Sequence, residues 1–302
     1  MSKFRTAVTA ATAATALALT GLGGLVSLPA VDAMASASGP TLVAIRAAHH
    51  PGYDRLVFDF RGGLPAERSA HYVTNVIADP SGKVVPVVGS ARLRIRFFAA
   101  SGHLQNGKNS YGPSRRTFAL PGVIQVVNAG DFEAVLSFGV GVARREPFHL
   151  FTLTNPSRVV IDIRTPYRTV QVRAYLLDLN RFRVGHPPFT RAVDRPVITP
   201  AVAFGALQRL FAGPTQAELN AGLRFVASKA TGFKNLAISD HIARVQLTGG
   251  CGSGGSTFTV ANEIMPTLKQ FSSVRWVKIY SPSGHTERPT GHSDSIPVCL
   301  EP

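Results

Sequence analysis

The sequence predicts two domains, an all-β sandwich over residues 40–165 and an α+β domain over residues 170–281, behind an export leader. Three observations carry that expectation. Between residues 41 and 164, eight runs are rich in Val, Ile and Phe, most alternate in polarity, and Gly, Pro, Asn or Asp lies between most of them. No stretch of that half shows helical spacing over ten residues. Beyond Thr165-Pro166-Tyr167-Arg168 the pattern turns to strand, helices, strands, helix, strand, an α+β order.

The leader comes first. Lys3 and Arg5 precede an uncharged run from Ala7 to Leu28, and Ala30-Val31-Asp32-Ala33-Met34-Ala35 sets small residues at signal-peptidase spacing. Residues 1–35 read as a cleaved signal peptide rather than a permanent anchor, because their Ala, Thr and Gly content makes a weak span. No cysteine follows the apolar run, so a bacterial lipoprotein anchor is not expected. No second apolar stretch reaches the roughly 18 to 20 residues that cross a bilayer, so no integral span is expected. The expected location is extracellular and wall-associated. The mature chain, about 265 residues, is long enough for two compact domains.

In the first domain the expected strands are LVAIRA, DRLVFDF, AHYVTNVI, ARLRIRFF, VIQVVNA, FEAVLSFGVGV, FHLFTL and RVVIDI. Along DRLVFDF, Arg55 and Asp59 share a face opposite Leu56, Phe58 and Phe60. Along RVVIDI, Arg158 and Asp162 share a face opposite Val159, Ile161 and Ile163. Antiparallel pairing sets Arg55 against Asp162 and Asp59 against Arg158; parallel pairing in that register sets like charges together. The first and last segments are therefore expected to be antiparallel neighbours.

In the second domain QVRAYLLD reads as a strand. Thr199 as N-cap and Pro200 at the first helical position open AVAFGALQRLFA as a helix, which Gly213-Pro214 closes. Thr215 and Glu218 have the spacing of a capping box for a short second helix ended by Gly222. NLAIS and IARVQL are strands around a turn at Asp240-His241, STFTVANEIMPTLKQF is a helix with Pro266 inside it, and VRWVKIY is a final strand. Pro266 removes a hydrogen bond and is expected to kink its helix. Residues 282–302 form a tail. The two cysteines, Cys251 and Cys299, most simply pair in an oxidising compartment and would tether that tail; two free or intermolecular thiols are the alternative. Chain entropy puts such a bridge at roughly 3 to 4.5 kcal/mol.

The formal charge is +15, and +14 once Lys3, Arg5 and Asp32 leave with the leader. Residues 40–165 and 166–302 carry +7 each, so no basic tail exists and no nucleic-acid partner is expected. Outside the cytoplasm a field of this sign concentrates a protein near anionic polymers, phosphodiesters and lipid headgroups. A generally basic proteome is the competing explanation.

Catalytic patterns are weak. The run from Gly102 to Asn109 nearly fits a phosphate-binding loop, but Asn109 stands where Ser or Thr is needed, and Tyr111-Gly112-Pro113 breaks the helix that should follow. GGCGSGG around Cys251 lacks the G-x-S-x-G order of a nucleophile elbow. No H-E-x-x-H occurs, and the adjacent His49 and His50 point to opposite faces of a strand. No catalytic residue, metal or cofactor is therefore expected. One binding feature stands out. In ARLRIRFF, Arg92, Arg94 and Arg96 share a face while Leu93, Ile95 and Phe97 enter the core. Guanidinium groups two strand steps apart, roughly 6.5 to 7 Å, suit an extended polyanion or carboxylated sugar chain. Lys108, Arg115 and Arg116 in the following loop extend that stripe. The competing explanation is an edge strand charged against aggregation.

These segments also resemble known modules. HHPGYDRLVFDF, SARLRIRF, GDFEAVLSFGVGV and LTNPSRVVIDI, in that order over about residues 40–165, resemble the AMIN-like domain of secreted actinobacterial proteins. That family is related to the amidase N-terminal domain, a β-sandwich that targets enzymes to peptidoglycan. VRAYLLDLNRF, RPVITPAVAFGALQRLFAGPTQAE, the strand pair around Asp240 and TLKQFSSVRWVKI, over about residues 170–281, resemble the GerMN domain of sporulation and germination proteins and envelope lipoproteins. Pro266, the CGSGG turn and the cysteine tail depart from that pattern. The resemblance implies a non-catalytic envelope protein. Asp131 and Glu133, and Asn155, Pro156 and Arg158, match family segments and are either ligand contacts or ion-pair and turn chemistry. The expected function is binding of peptidoglycan or another anionic wall polymer. The rivals are a scaffold docking an envelope or sporulation and germination complex, and a hydrolase with an unrecognised site.

Overall fold

The computed structural model describes residues 39–302; the leader expected over residues 1–35 lies outside the described residues. In chain order the first half forms β1 (Thr41–His50), β2 (Tyr53–Arg61), β3 (Glu67–Val73), β4 (Val76–Ile77), β5 (Val84–Val85), β6 (Ala91–Phe98), β7 (Arg115–Thr117), β8 (Val123–Phe132), β9 (Val135–Val142), β10 (Phe148–Leu153) and β11 (Arg158–Arg164). They build a four-stranded sheet, β1-β2-β11-β10, facing a five-stranded sheet, β3-β6-β9-β8-β7. Alternation dictates the core between them. Leu56, Phe58 and Phe60 of the first sheet meet Leu93, Ile95, Phe97, Leu136 and Phe138 of the second. Phe58 packs edge-on to Phe97 and tilted to Phe138, with ring centroids 5.0 and 5.3 Å apart.

The β2–β11 pairing is antiparallel in the expected register, Arg55 opposite Asp162 and Asp59 opposite Arg158. Arg55 grips Asp162 through Nε and Nη2 at 2.8 and 2.7 Å. Asp59 instead accepts the fork of Arg46 on β1, and Arg158 turns back to the carbonyls of Pro156 and Asn155.

Two expected strands are divided. AHYVTNVI splits into β3 and β4, and FEAVLSFGVGV splits because Glu133 and Ala134 take positive φ (50° and 58°) in the β8–β9 hairpin turn. The glycines of FGVGV serve close approach. A Cβ on Gly141 would lie 1.8 Å from the Val88 carbonyl oxygen, so only glycine lets the segment after β5 lie across β9. That segment and the β4–β5 ladder cover the outer face of the second sheet with Val76 and Val87 against Val127 and Ala129.

The second half forms β12 (Thr169–Asp178), α1 (Leu179–Arg183), β13 (Thr190–Ile198), α2 (Val202–Ala212), α3 (Gln216–Asn220), β14 (Leu223–Arg224), β15 (Ala230–Ser239), β16 (Ile242–Gly249), α4 (Val260–Lys269) and β17 (Trp276–Tyr280). The sheets run β13-β12-β14 and β15-β16-β17, with β17 parallel to β16. Leu176, Leu207, Leu210, Val245, Ile264, Leu268 and Ile279 join in one core.

Four sequence expectations need correction here. The helix expected from Thr199-Pro200 begins later: β13 runs to Ile198, Thr199 and Pro200 form the corner, and Ala201 is the N-cap, without a side-chain bond. Strand β13 was not expected. Its charges and Pro196 obscure it, and an edge strand tolerates both. Nor was α1, a short turn capped by Asp178 Oδ1, which accepts from the N–H groups of Asn180 and Arg181 at 3.1 and 3.2 Å. The helix expected over STFTVANEIMPTLKQF is confined to Val260–Lys269, with Thr259 as N-cap, its N–H donating to Asn262 Oδ1 at 2.8 Å; it continues past Pro266. The Thr215–Glu218 capping box is present as expected.

Cys251 and Cys299 form the disulfide, with Cα atoms 5.8 Å apart. It holds the tail against the second core, where Leu300 is buried. The tail also closes over Lys278, a fully buried side chain whose Nζ donates to the carbonyls of Arg288 (2.5 Å) and Thr290 (3.0 Å). Burial pushes that ammonium below its usual pKa. Replacing both cysteines by Ser should cost about 3 kcal/mol, the lower end of the chain-entropy range for this loop. A urea titration of the double variant against the oxidised protein checks it.

Candidate functional site

The two cores meet at the C-terminal half of α2. Every residue from Ala206 to Ala212 is buried there, since one side faces the second core and the other faces the sandwich. Gly205 permits the approach of α2 to β13: a Cβ would lie 2.7 Å from that of Val197. The last carbonyls of a helix have no partner within it. Here the sandwich supplies one: the Ala212 carbonyl accepts from Thr117 Oγ1 (2.5 Å) and Gln125 Nε2 (3.1 Å). Gln208 Nε2 donates to Ser90 Oγ at 3.1 Å, and Arg209 Nη2 to the Pro121 carbonyl at 2.9 Å. Arg209 is buried with Nη1 unpartnered, and loss of water lowers its pKa to about 10. The junction is thus hydrogen-bonded and buried, and both cores belong to one compact unit.

Beside this junction opens a cleft of about 830 Å³. Its apolar wall is an aromatic cluster, with Phe204 and Phe211 of α2 against Phe233 (5.2 and 5.5 Å between centroids) and Phe211 against Phe225 (5.2 Å). Phe204, Gln208 and Phe211 recur at helical spacing, so one stripe of α2 lines the cleft. The opposite wall comes from the sandwich, in the segment Val84–Gly89 with Arg92, Arg115 and Arg116. Arg224 adds a fourth guanidinium from the second domain. Among the described residues no carboxylate lines the cleft.

The arginines expected to form one stripe are thereby divided. Arg92 and Arg94 stand on β6, an interior strand between β3 and β9, so the edge-strand explanation does not hold. Arg92 lines the cleft and donates to the Val87 and Thr74 carbonyls at 3.2 and 3.3 Å. Arg94 is held by Asp79 at 2.7 Å under the β4–β5 cover, and Arg96 keeps a buried Nε without a partner. Lys108 sits exposed in the loop before β7, away from the cleft lining. Arg115 and Arg116 are on β7, separated from β6 by β9 and β8. Arg115 Nη1 donates to Gln125 Oε1 at 2.7 Å and Nη2 to the Pro86 carbonyl at 2.9 Å. Both acceptors are neutral, and among the described residues no carboxylate pairs with Arg115 or Arg116. Burial lowers the pKa of both. Arg116 is held by the Ile45 and Tyr111 carbonyls at 3.0 and 2.9 Å.

A partly desolvated cation without a counter-charge favours an anion. The cleft thus presents cations without a counter-charge, and among the described residues its lining holds no carboxylate, histidine, cysteine or serine to act as base or nucleophile. Among the described residues no group of three or more His, Cys, Asp or Glu side chains is placed to hold a metal. His49 Nδ1 lies 2.7 Å from Asp54 Oδ1, while His50 stacks on Tyr53. Asp131 accepts from the Gly102 N–H at 2.9 Å and contacts His103, within the loop that resembled a phosphate site. Sequence reasoning missed the aromatic wall. Its one signal is the Phe204–Gln208–Phe211 stripe, which looks like ordinary helix core.

Comparison with family models gives two matches. One, described as AMIN-like domain, covers residues 40–165, and one, described as sporulation and spore germination, covers residues 174–281. Comparisons with curated proteins and with solved structures gave no match. The pair of domains fits an envelope- or germination-associated protein, and neither is a known catalytic family. Among the described residues no helix is long and apolar enough to cross a membrane.

Proposed function

We propose, from the premise that this chain joins an AMIN-like domain to a sporulation and spore germination domain, that it is a secreted, non-catalytic envelope protein that binds peptidoglycan or another anionic wall polymer. The observation that carries this reading is the cleft with four arginines and no carboxylate in its lining. Arg92, Arg115, Arg116 and Arg224 are its ligand groups. Guanidinium forks suit carboxylates and phosphates because two parallel N–H groups match two oxygens. The net charge of +15, or +14 without the leader, draws such a polymer in and makes capture salt-sensitive.

Sedimentation with purified cell walls tests it. The protein is expected to pellet at low salt, to be released by high salt, and to lose most retention in an Arg92→Ser, Arg115→Ser double variant. Retention that is absent, or indifferent to salt and to both arginines, overturns the reading. One observation favours docking of an envelope or germination complex instead: β15 is the edge of its sheet and exposes Ile238. Cross-linking in cells that recovers a stable partner through β15 supports that alternative.

A further inference from the structure

The cleft has a second property beyond its charge. The polar side chains at its base are committed: Thr117 and Gln125 to the Ala212 carbonyl, Gln208 to Ser90, and Gln125 Oε1 also to Arg115. Among the described residues Asn75, Gln216, Thr231 and Thr248 are the few neutral polar side chains left around it, and Gln216 spends an amide N–H on Asn220 Oδ1 at 3.0 Å. Apart from these and the four arginines, the lining side chains are mainly apolar. Phe204 is 42% exposed and Val84 57% exposed, and the two belong to opposite walls, one on α2 and one on β5. Large apolar side chains exposed together on a concave surface mark a binding site for apolar groups. A neutral glycan needs many donors and acceptors along its length and would find few here. A volume of about 830 Å³ lies in the usual range for small-ligand sites.

The cationic side is equally specific. A guanidinium carries five N–H donors. Arg115 places one hydrogen bond through each Nη on a neutral oxygen, and the remaining donors have no protein partner among the described residues. Arg224 uses only Nη1, on the Leu219 and Leu223 carbonyls at 2.9 and 2.7 Å. The available groups are thus an apolar aromatic wall and arginine N–H donors at its margin.

We infer that the cleft seats a single-chain amphiphile with an anionic head, its alkyl chain along Phe204, Phe211 and Phe233 and its carboxylate or phosphate on Arg115. The inference rests on the cleft being the binding site and names the chemistry of its occupant; in the envelope that chemistry belongs to fatty acids and to the lipid-borne ends of wall polymers.

Dodecanoate, dodecyl phosphate, dodecanol and acetate, titrated by calorimetry below micelle formation, test it. Dodecanoate is expected to saturate one site per chain. Dodecanol, without the charge, and acetate, without the chain, should each bind at least about tenfold more weakly, about 1.4 kcal/mol. Dodecyl phosphate binding more tightly than dodecanoate identifies a phosphate head, and the reverse identifies a carboxylate. Arg115→Gln and Phe204→Asp should each weaken dodecanoate about tenfold. Arg61→Gln, on the exposed end of β2, should leave it unchanged. Absence of saturable dodecanoate binding, equal binding of dodecanol, or full binding in both cleft variants overturns the inference. Walls that still pellet wild-type protein while dodecanoate fails to bind refute the amphiphile alone and leave the polymer reading standing.

Discussion

Glu263→Ala is expected to destabilise the second domain by about 5 kcal/mol. Glu263 projects from α4 and is fully buried. Its Oε1 accepts from the Leu177 N–H of β12 at 2.9 Å, and its Oε2 from the Val226 N–H at 3.0 Å. One carboxyl group therefore ties a helix to a strand and to the segment before β15. Alanine leaves two buried N–H groups without acceptors, roughly 1 to 3 kcal/mol each, and removes packing besides. Glu263→Gln keeps the volume but sets its amide N–H₂ against one of the two donors, so about 2 kcal/mol is expected. Urea unfolding followed by the single tryptophan, Trp276 on β17, reads both. The same residue gives a pH signature. Burial raises its pKa to about 8, against the pull of the two N–H groups, from an ordinary 4.5. Between those values the folded chain keeps a proton that the unfolded chain has released. This contribution to stability is therefore full below pH 4.5 and falls as pH rises toward 8, by up to about 1.4 kcal/mol per unit. The Gln variant should abolish that slope. A slope unchanged in Glu263→Gln would refute the assignment.

Asp54→Ala is expected to cost about 4 kcal/mol, for a related reason in the sandwich. Asp54 on β2 is fully buried, and its Oδ2 accepts from the Gly122 and Val123 N–H groups at 2.6 and 2.8 Å. This fastens the turn into β8, next to the Pro121 carbonyl that receives Arg209. Alanine orphans both N–H groups. The Asp54→Asn variant keeps both bonds: its amide oxygen takes the place of Oδ2, and its amide nitrogen faces His49 Nδ1, which accepts in the other tautomer. Asp54→Asn should therefore cost no more than about 1 kcal/mol. Since Gly122 and Pro121 stand at the junction, Asp54→Ala should also raise amide exchange in the last turn of α2, beyond the sandwich itself. Equal losses in the Asp54→Ala and Asp54→Asn variants would show that charge, rather than the pair of accepted bonds, matters there.

What was legible in the sequence was what local chemistry dictates. Alternation of Val, Ile and Phe marked the sandwich strands, and the opposite-charge pattern of Arg55, Asp59, Arg158 and Asp162 set the register of β2 against β11. Capping at Thr215 and pairing of Cys251 with Cys299 were also readable. These features depend on neighbours along one strand, on one helix turn, or on two residues alone. The boundary errors arose where tertiary contact outweighs local preference, as in β13, which keeps a proline and several charges because it is a sheet edge.

The binding surface was different. By itself the sequence determined the two folds, the even positive charge and an arginine-rich second sheet, because side-chain periodicity and composition are properties of the chain. Only the packed structure decided which arginines face a ligand. Arg94 is neutralised by Asp79 beneath a covering segment, while Arg115 is brought without a counter-charge to a wall of phenylalanines that lies about a hundred residues away in the chain. Coulomb attraction and desolvation depend on distance in space and on what excludes water, and neither is written in the spacing of residues along a strand.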